Sequence, residues 1–220
     1  IYLKAEVDIL VNQLRNMETQ VQKISSGKLA ELKLGFIGSA IQTILPEILL
    51  QLDQQYPLLD ISLQELSNEK QLESLYNNEL DFGFIRSEHV PEHLALKKLL
   101  AEPFELVVPK DYPIQQGNFK SMADFQEERF ILFSKQYSSA YYDLVMSIFT
   151  DQGYMPNVTL KTVNAFSIFH LVAQGMGVAI VPASLKKGYE TNVNFISLTS
   201  LPQRTTLSLV WNKNNRNIGI

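Results

Sequence analysis

LKLGFIGSAIQTILPEILLQLDQQYP, Leu32–Pro57, decides how this chain is read. Leu32–Ile37 has the pattern of a short apolar strand. Gly35-Phe36-Ile37-Gly38-Ser39 then hands over to a helical stripe of Ile44, Leu45, Ile48, Leu49, Leu52 and Tyr56. A strand that runs straight into a helix aims the helix's unpaired N–H groups and positive dipole end at the space beyond the strand. An anion suits that space. Pro46 lies in the helix's first turn, where its missing N–H costs nothing, or at a kink, and Tyr56-Pro57 closes the segment.

The same pattern continues outward. Leu59–Leu66 alternates apolar and polar residues, Gln71–Tyr76 reads as a short helix and Asp81–Ile85 as a buried strand. Strand–turn–helix–strand thus fills residues 30–87 and recurs in 130–181. The second copy runs through Phe130–Phe133, a helix Ala140–Phe149 ending at Gly153, Val158–Thr162, a helix Phe166–Ala173, and Val178–Val181 stopped by Pro182. Leu96–Leu100, Phe104–Pro109, Phe195–Leu198 and Thr206–Trp211 complete the strands. This alternation predicts an α/β fold with largely parallel pairing. The chain crosses between the halves at Leu99–Pro109 and Leu201–Thr206, which predicts two lobes on a two-stranded hinge with a small ligand in the cleft. The expected division is a linker helix at 1–28, lobe I at 29–102 and 203–220, and lobe II at 103–202.

Ahead of the first strand lies a heptad. Leu3, Val7, Leu10, Leu14, Met17, Val21 and Ile24 alternate spacings of four and three, and the other positions are mostly polar. Such a narrow seam fits a helix that pairs with another copy of itself better than one lying on its own domain. Ser25-Ser26-Gly27 supplies its C-terminal end.

Composition narrows the function. The 220 residues are 45% hydrophobic and 19% charged, which is globular. A net charge of −4 offers nucleic acid no attractive surface. The absence of cysteine rules out disulfides, thiol nucleophiles and thiolate metal sites. No apolar run reaches the roughly 20 residues that span a bilayer. Ile1–Leu14 is too polar for a signal peptide, so a cytoplasmic location is expected.

These residues resemble a known family. LKLGFIGS (Leu32–Ser39), LPEILLQLDQQYPLLDISLQELS (Leu45–Ser67), LESLYNNELDFGFI (Leu72–Ile85), LLAEPFELVVPKDYPI (Leu99–Ile114) and LVAQGMGVAIVPASL (Leu171–Leu185) together resemble the effector-binding domain of LysR-type transcriptional regulators. The likeness covers about residues 5–212. GFIGS and ILFSKQYSSAYYDLVMSIFTDQG (Ile131–Gly153) resemble most the muconate- and benzoate-responsive members. The resemblance implies two Rossmann-like lobes, as in type 2 periplasmic binding proteins, preceded by a long linker helix. It implies a small effector, possibly an aromatic or dicarboxylic acid, and a dimer or tetramer. Promoter DNA would be reached only through an N-terminal winged helix-turn-helix that this sequence does not contain. No membrane partner and no cofactor are implied. The tail after Trp211 is short, so the family's last helix is expected to be incomplete.

Candidate site residues follow. Ser39 is either a helix cap or, as the family's serine or threonine there implies, an effector contact working with the N–H groups of Ala40 and Ile41. Asn68 is a polar ligand or an N-cap. Arg86, at a strand's C-terminal end, suits a carboxylate or pairs with Glu88 or Glu102 at the surface. Ser138, Ser139 and Tyr141 open a second helix facing the cleft. Tyr141 stands where the benzoate-responsive members lead one to expect phenylalanine, which leaves the effector's identity open. Phe166 lines the cleft or fills the second lobe's core, the latter being favoured. His170, on an apolar helix, reads as a core or interface histidine.

No nucleophile–base constellation is evident, so no enzyme is expected. His89-Val90-Pro91-Glu92-His93 matches a zinc-protease string, but that motif needs a continuous helix and Pro91 interrupts it. No metal site is expected. Gly175-Met176-Gly177 follows a helix and precedes a strand, the reverse of a dinucleotide fingerprint. The alternative from another class is a solute-binding protein for transport, which the heptad and the missing signal peptide disfavour.

If the heptad pairs with a second copy, its seam hides side chains worth about 1.5–3 kcal/mol each. Replacing Leu10 and Leu14 with Lys is expected to lower the mass found by gel filtration with light scattering. An unchanged mass would put the helix on its own domain.

Overall fold

The computed structural model describes residues 30–187 and 192–215, together with Val7, Val11, Leu14, Arg15, Met17 and Glu18. Leu3, Leu10, Val21 and Ile24 of the heptad, and the chain end at 216–220, lie outside the described residues. Val7, Leu14 and Met17 are helical. They are 45%, 62% and 63% exposed, so these seam residues are not buried by their own chain.

The described residues fall into two compact units, divided at Leu99/Leu100 and at Thr206/Leu207. In the first, β1 (Ala30–Phe36), β2 (Leu59–Glu65) and β3 (Phe82–Arg86) are joined by helices α1 (Gly38–Ile41), α2 (Leu45–Gln55) and α3 (Asn68–Tyr76). The sheet order is β2-β1-β3-β10-β4, with β4 at Leu94–Glu102 and β10 at Thr205–Asn212. β1 runs parallel to β2 and β3, while β10 is antiparallel to β3. Pro46 sits in the first turn of α2, as expected. Glycines 35 and 83 face each other across β1 and β3. A Cβ on Gly35 would lie 2.5 Å from Leu80 Cδ1, and one on Gly83 2.9 Å from Gln71 Oε1. The pair lets α3 settle close on the sheet.

The second unit holds β5 (Phe104–Pro109), β6 (Arg129–Phe133), β7 (Asn157–Thr162), β8 (Ala179–Pro182) and β9 (Val193–Ser197), with helices α4 (Ser139–Asp151) and α5 (Ala165–Ala173). β5, β6 and β8 are nearly continuous buried runs because both faces are covered, whereas β7 alternates exposed and half-buried residues. Phe104, Leu106 and Val108 of β5 join Tyr141, Val145, Ile148 and Phe149 of α4 in one cluster. Val107 of β5 joins Ala165, Ile168, Phe169 and Val172 of α5 in the other. β6 and β7 are parallel, but β5 is antiparallel to both β8 and β9, so the pairing is more mixed than expected. The reason is chain order: β5, β9 and β10 are return strands with no crossover helix behind them.

Gly175 and Gly177 mark the turn from α5 to β8, with φ of 72° and 154°. A Cβ on Gly177 would run into the carbonyl oxygen of Arg129. Both the positive φ and the close backbone require glycine. Gly177→Ala is therefore expected to destabilise the protein by about 1–3 kcal/mol or more, read as a lower midpoint in urea unfolding.

Candidate functional site

Three parallel strands, β1, β2 and β3, end on one edge of the first unit's sheet, the edge where open α/β sheets bind ligands. Each carries a candidate residue at its end or within three residues beyond it. Ser39 follows β1 through Gly38. Asn68 follows β2 through Ser67. Arg86 is the last residue of β3.

The structure brings these three together. Arg86 Nε donates to Ser39 Oγ at 3.0 Å. Asn68 Nδ2 donates to the Arg86 carbonyl at 3.0 Å, and the Arg86 N–H donates to Asn68 Oδ1 at 3.3 Å. Arg86 is 4% exposed and Asn68 5%. Fixing Nε fixes the guanidinium plane and with it the direction of the two Nη groups. That planar fork matches a carboxylate bidentately.

Several expectations need correction. Ser39 is not a helix cap: α1 is a single turn of four residues whose N-cap is Ile37. The Ala40 N–H donates to the Ile37 carbonyl at 2.8 Å, and Ala40 is fully buried. The Ala40 N–H is therefore taken up within the turn. Ile41 lies in the same turn. Asn68 is not the N-cap of α3; Ser67 is, accepting from the Lys70 N–H at 3.2 Å. Arg86 is buried at the strand's end, and Glu88 pairs with Lys98 at 2.7 Å. Glu102 accepts from the hydroxyl of Ser184 at 2.8 Å.

In the second unit Ser138 stands at the N-cap position of α4, buried, with no side-chain cap bond to the helix. Ser139 is exposed in the first turn. Tyr141 belongs to the core: it is buried against Phe104 and Phe133, and its hydroxyl donates to the Ile180 carbonyl at 3.5 Å. Phe166 is not core, being 60% exposed. The α5 face is set by Ala165, Ile168, Phe169 and Val172, and Phe166 falls opposite them. His170 is likewise exposed, its ring stacked on that of Phe166. His93 packs edge-on against Tyr76. Among the described residues no group of three or more His, Asp or Glu side chains could hold a metal ion.

Gln71 is a residue that sequence reasoning passed over. It is fully buried on α3, one turn beyond Asn68, and its Nε2 donates to the carbonyls of Leu66 and Phe84 at 3.1 and 3.3 Å. The signal was present: Asn68, Gln71 and Leu75 lie at helical spacing on one face, two of them amides where a core stripe should be apolar.

Residues 25–218 match the model of the LysR substrate binding domain. The chain belongs to this family. Similar regulators include CatR of Pseudomonas putida, 29% identical over 88% of this chain and 66% of that protein. AlsR of Bacillus subtilis is 27% identical over 98% of this chain and 74% of that one. The BenM effector-binding domain with its effector benzoate superposes with a TM-score of 0.74 at 24% identity, covering 86% of each chain. The LysR-type architecture expected from the sequence is therefore the architecture found. No helix among the described residues is long and apolar enough to cross a membrane.

A buried carboxylate outside the site adds an electrostatic feature. Glu105 on β5 is held above the ordinary carboxylate range by burial, which Lys186 and a hydrogen bond with Ser197 oppose. A folded carboxyl with a raised pKa holds its proton more tightly than the unfolded one. Its contribution to stability is fully present below the unfolded value of 4.5 and is lost as pH rises through the folded pKa. Glu105→Gln is expected to gain stability relative to wild type as pH rises from about 4 to 7, in urea unfolding at each pH. A difference that stays constant with pH would contradict this.

Proposed function

We propose that this chain is the effector-sensing part of a LysR-type transcriptional regulator and that it takes a small carboxylate at Ser39 and Arg86. The Arg86–Ser39 hydrogen bond carries the reading: a buried cation oriented by a hydroxyl, at the C-terminal edge of a parallel sheet. The BenM domain is described with benzoate and the QuiR domain with shikimate, both small carboxylates. The heptad serves self-association, and promoter DNA is contacted by a winged helix-turn-helix of the longer protein. An effector changes such an assembly only by the free energy with which it prefers one arrangement over another. The transport reading finds no support among the relatives, which are regulators.

The test is a thermal-shift and calorimetric panel of aromatic, hydroxy- and dicarboxylic acids, benzoate and shikimate included, on wild type, Ser39→Leu and Arg86→Gln. A ligand of the native state raises the melting temperature by mass action. Ser39→Leu is expected to weaken the best carboxylate at least tenfold. Arg86→Gln should weaken it about thirtyfold, equivalent to roughly 2 kcal/mol. Equal affinities in Arg86→Gln and wild type would sink the assignment of Arg86.

A further inference from the structure

We propose that Asn68 is a positioning residue for Arg86: its carboxamide replaces a missing strand beside the end of β3 and so fixes the backbone that carries the guanidinium. The inference rests on Arg86 being the carboxylate-binding group.

β1 pairs with β3 only from Leu34–Phe36 to Phe82–Phe84. It then leaves the sheet, and the Ile37 N–H makes a last bond of 3.3 Å to the Phe84 carbonyl. β3 continues two residues further, to Arg86. Backbone groups of alternate residues in a strand point to the same side. Phe84 faces β1, so the N–H and carbonyl of Arg86 face the side β1 has vacated, while β10 lies on the other. A buried N–H and carbonyl need partners. Asn68 gives one to each, at 3.3 and 3.0 Å. These are the two bonds a neighbouring strand would make, one to the N–H and one to the carbonyl, and a carboxamide carries both the donor and the acceptor they need.

The clamp is itself held. Asn68 opens α3 behind the Ser67 cap. Gln71, one turn on, bonds the Phe84 carbonyl, two residues before Arg86 on the same side of β3. Asn68 thus continues the hydrogen-bond ladder where β1 stops, and Gln71 adds a second donor to the Phe84 carbonyl that Ile37 already reaches. Arg86 leaves a fixed backbone at one end and meets Ser39 Oγ at 3.0 Å at the other. Ala supplies neither bond, the hydroxyl of Ser or Thr sits one bond closer to its own main chain and falls short of both groups, and Asp would set an oxygen against the Arg86 carbonyl.

The experiment has a ligand-free arm and a binding arm. In nitrogen-15-labelled protein the Arg86 Nε–H resonance is assigned by its loss in Arg86→Gln. Its solvent exchange is then compared in wild type and Asn68→Ala, with Asn68→Ser as the second variant should Asn68→Ala not fold. At least fivefold faster Nε–H exchange, with the β1 and β10 amides still protected, is expected. Unchanged exchange overturns the proposal. In the binding arm, the tightest carboxylate of the panel, with benzoate as first probe, is titrated into wild type, Asn68→Ala, Arg86→Gln and the double variant. Asn68→Ala should weaken binding at least fivefold in the wild-type background and less than twofold beside Arg86→Gln. Additive losses would make Asn68 a ligand contact and overturn the positioning role. If no carboxylate binds, or Arg86→Gln binds as wild type does, the reading of Arg86 fails while the exchange measurement still decides the role of Asn68.

Discussion

The first unit turns on one requirement: the backbone polar groups at the end of β3 must be satisfied after β1 has left the sheet. An unmet buried N–H or carbonyl costs about 1–3 kcal/mol. The chain meets that requirement with the Asn68 side-chain amide on α3 rather than with another strand, and Gln71 adds a donor to the Phe84 carbonyl. The glycines 35 and 83, with no side chains between sheet and helix, let Gln71 lie against the β1–β3 pair. β1 can then turn early into α1, and that turn delivers Ser39 to the Arg86 side chain.

The second unit covers its sheet differently. Apolar clusters lie on both faces, and neither α4 nor α5 shows a pair of buried amides like that of α3. Its polar candidates, Ser138 and Ser139, come from a helix start instead. The two units thus share strand–helix alternation but not the means of ending a strand. In the first, a strand bearing arginine outruns its parallel neighbour and so places a buried cation at that end.

Much of the fold was legible residue by residue. Leu32–Ile37 running into the stripe from Ile44 to Tyr56 announced β1 and α2, and Pro46 marked the helix start within a residue or two. The site was legible in part. Ser39 and Arg86 could be singled out because small polar and cationic residues at strand ends follow a general rule of α/β sheets. The role of Asn68 was not readable, since a ligand, a cap and a strand substitute all need a short amide at the same place. Tyr141 and Phe166 went the opposite way for a shared reason: an aromatic near a helix start carries no label for which face of the helix its sheet will take.

By itself the sequence determined the period of each element, the apolar faces available for burial and the absence of cysteine chemistry, because these depend on residue type and spacing along one segment. Tertiary structure alone decided that β1 stops two residues before β3, that Asn68 fills the gap and that Ser39 meets Arg86. Those facts depend on the relative ends of segments 18 and 47 residues apart. Local propensity does not encode such a register; it emerges only when glycine contacts, helix packing and hydrogen-bond completion are satisfied together.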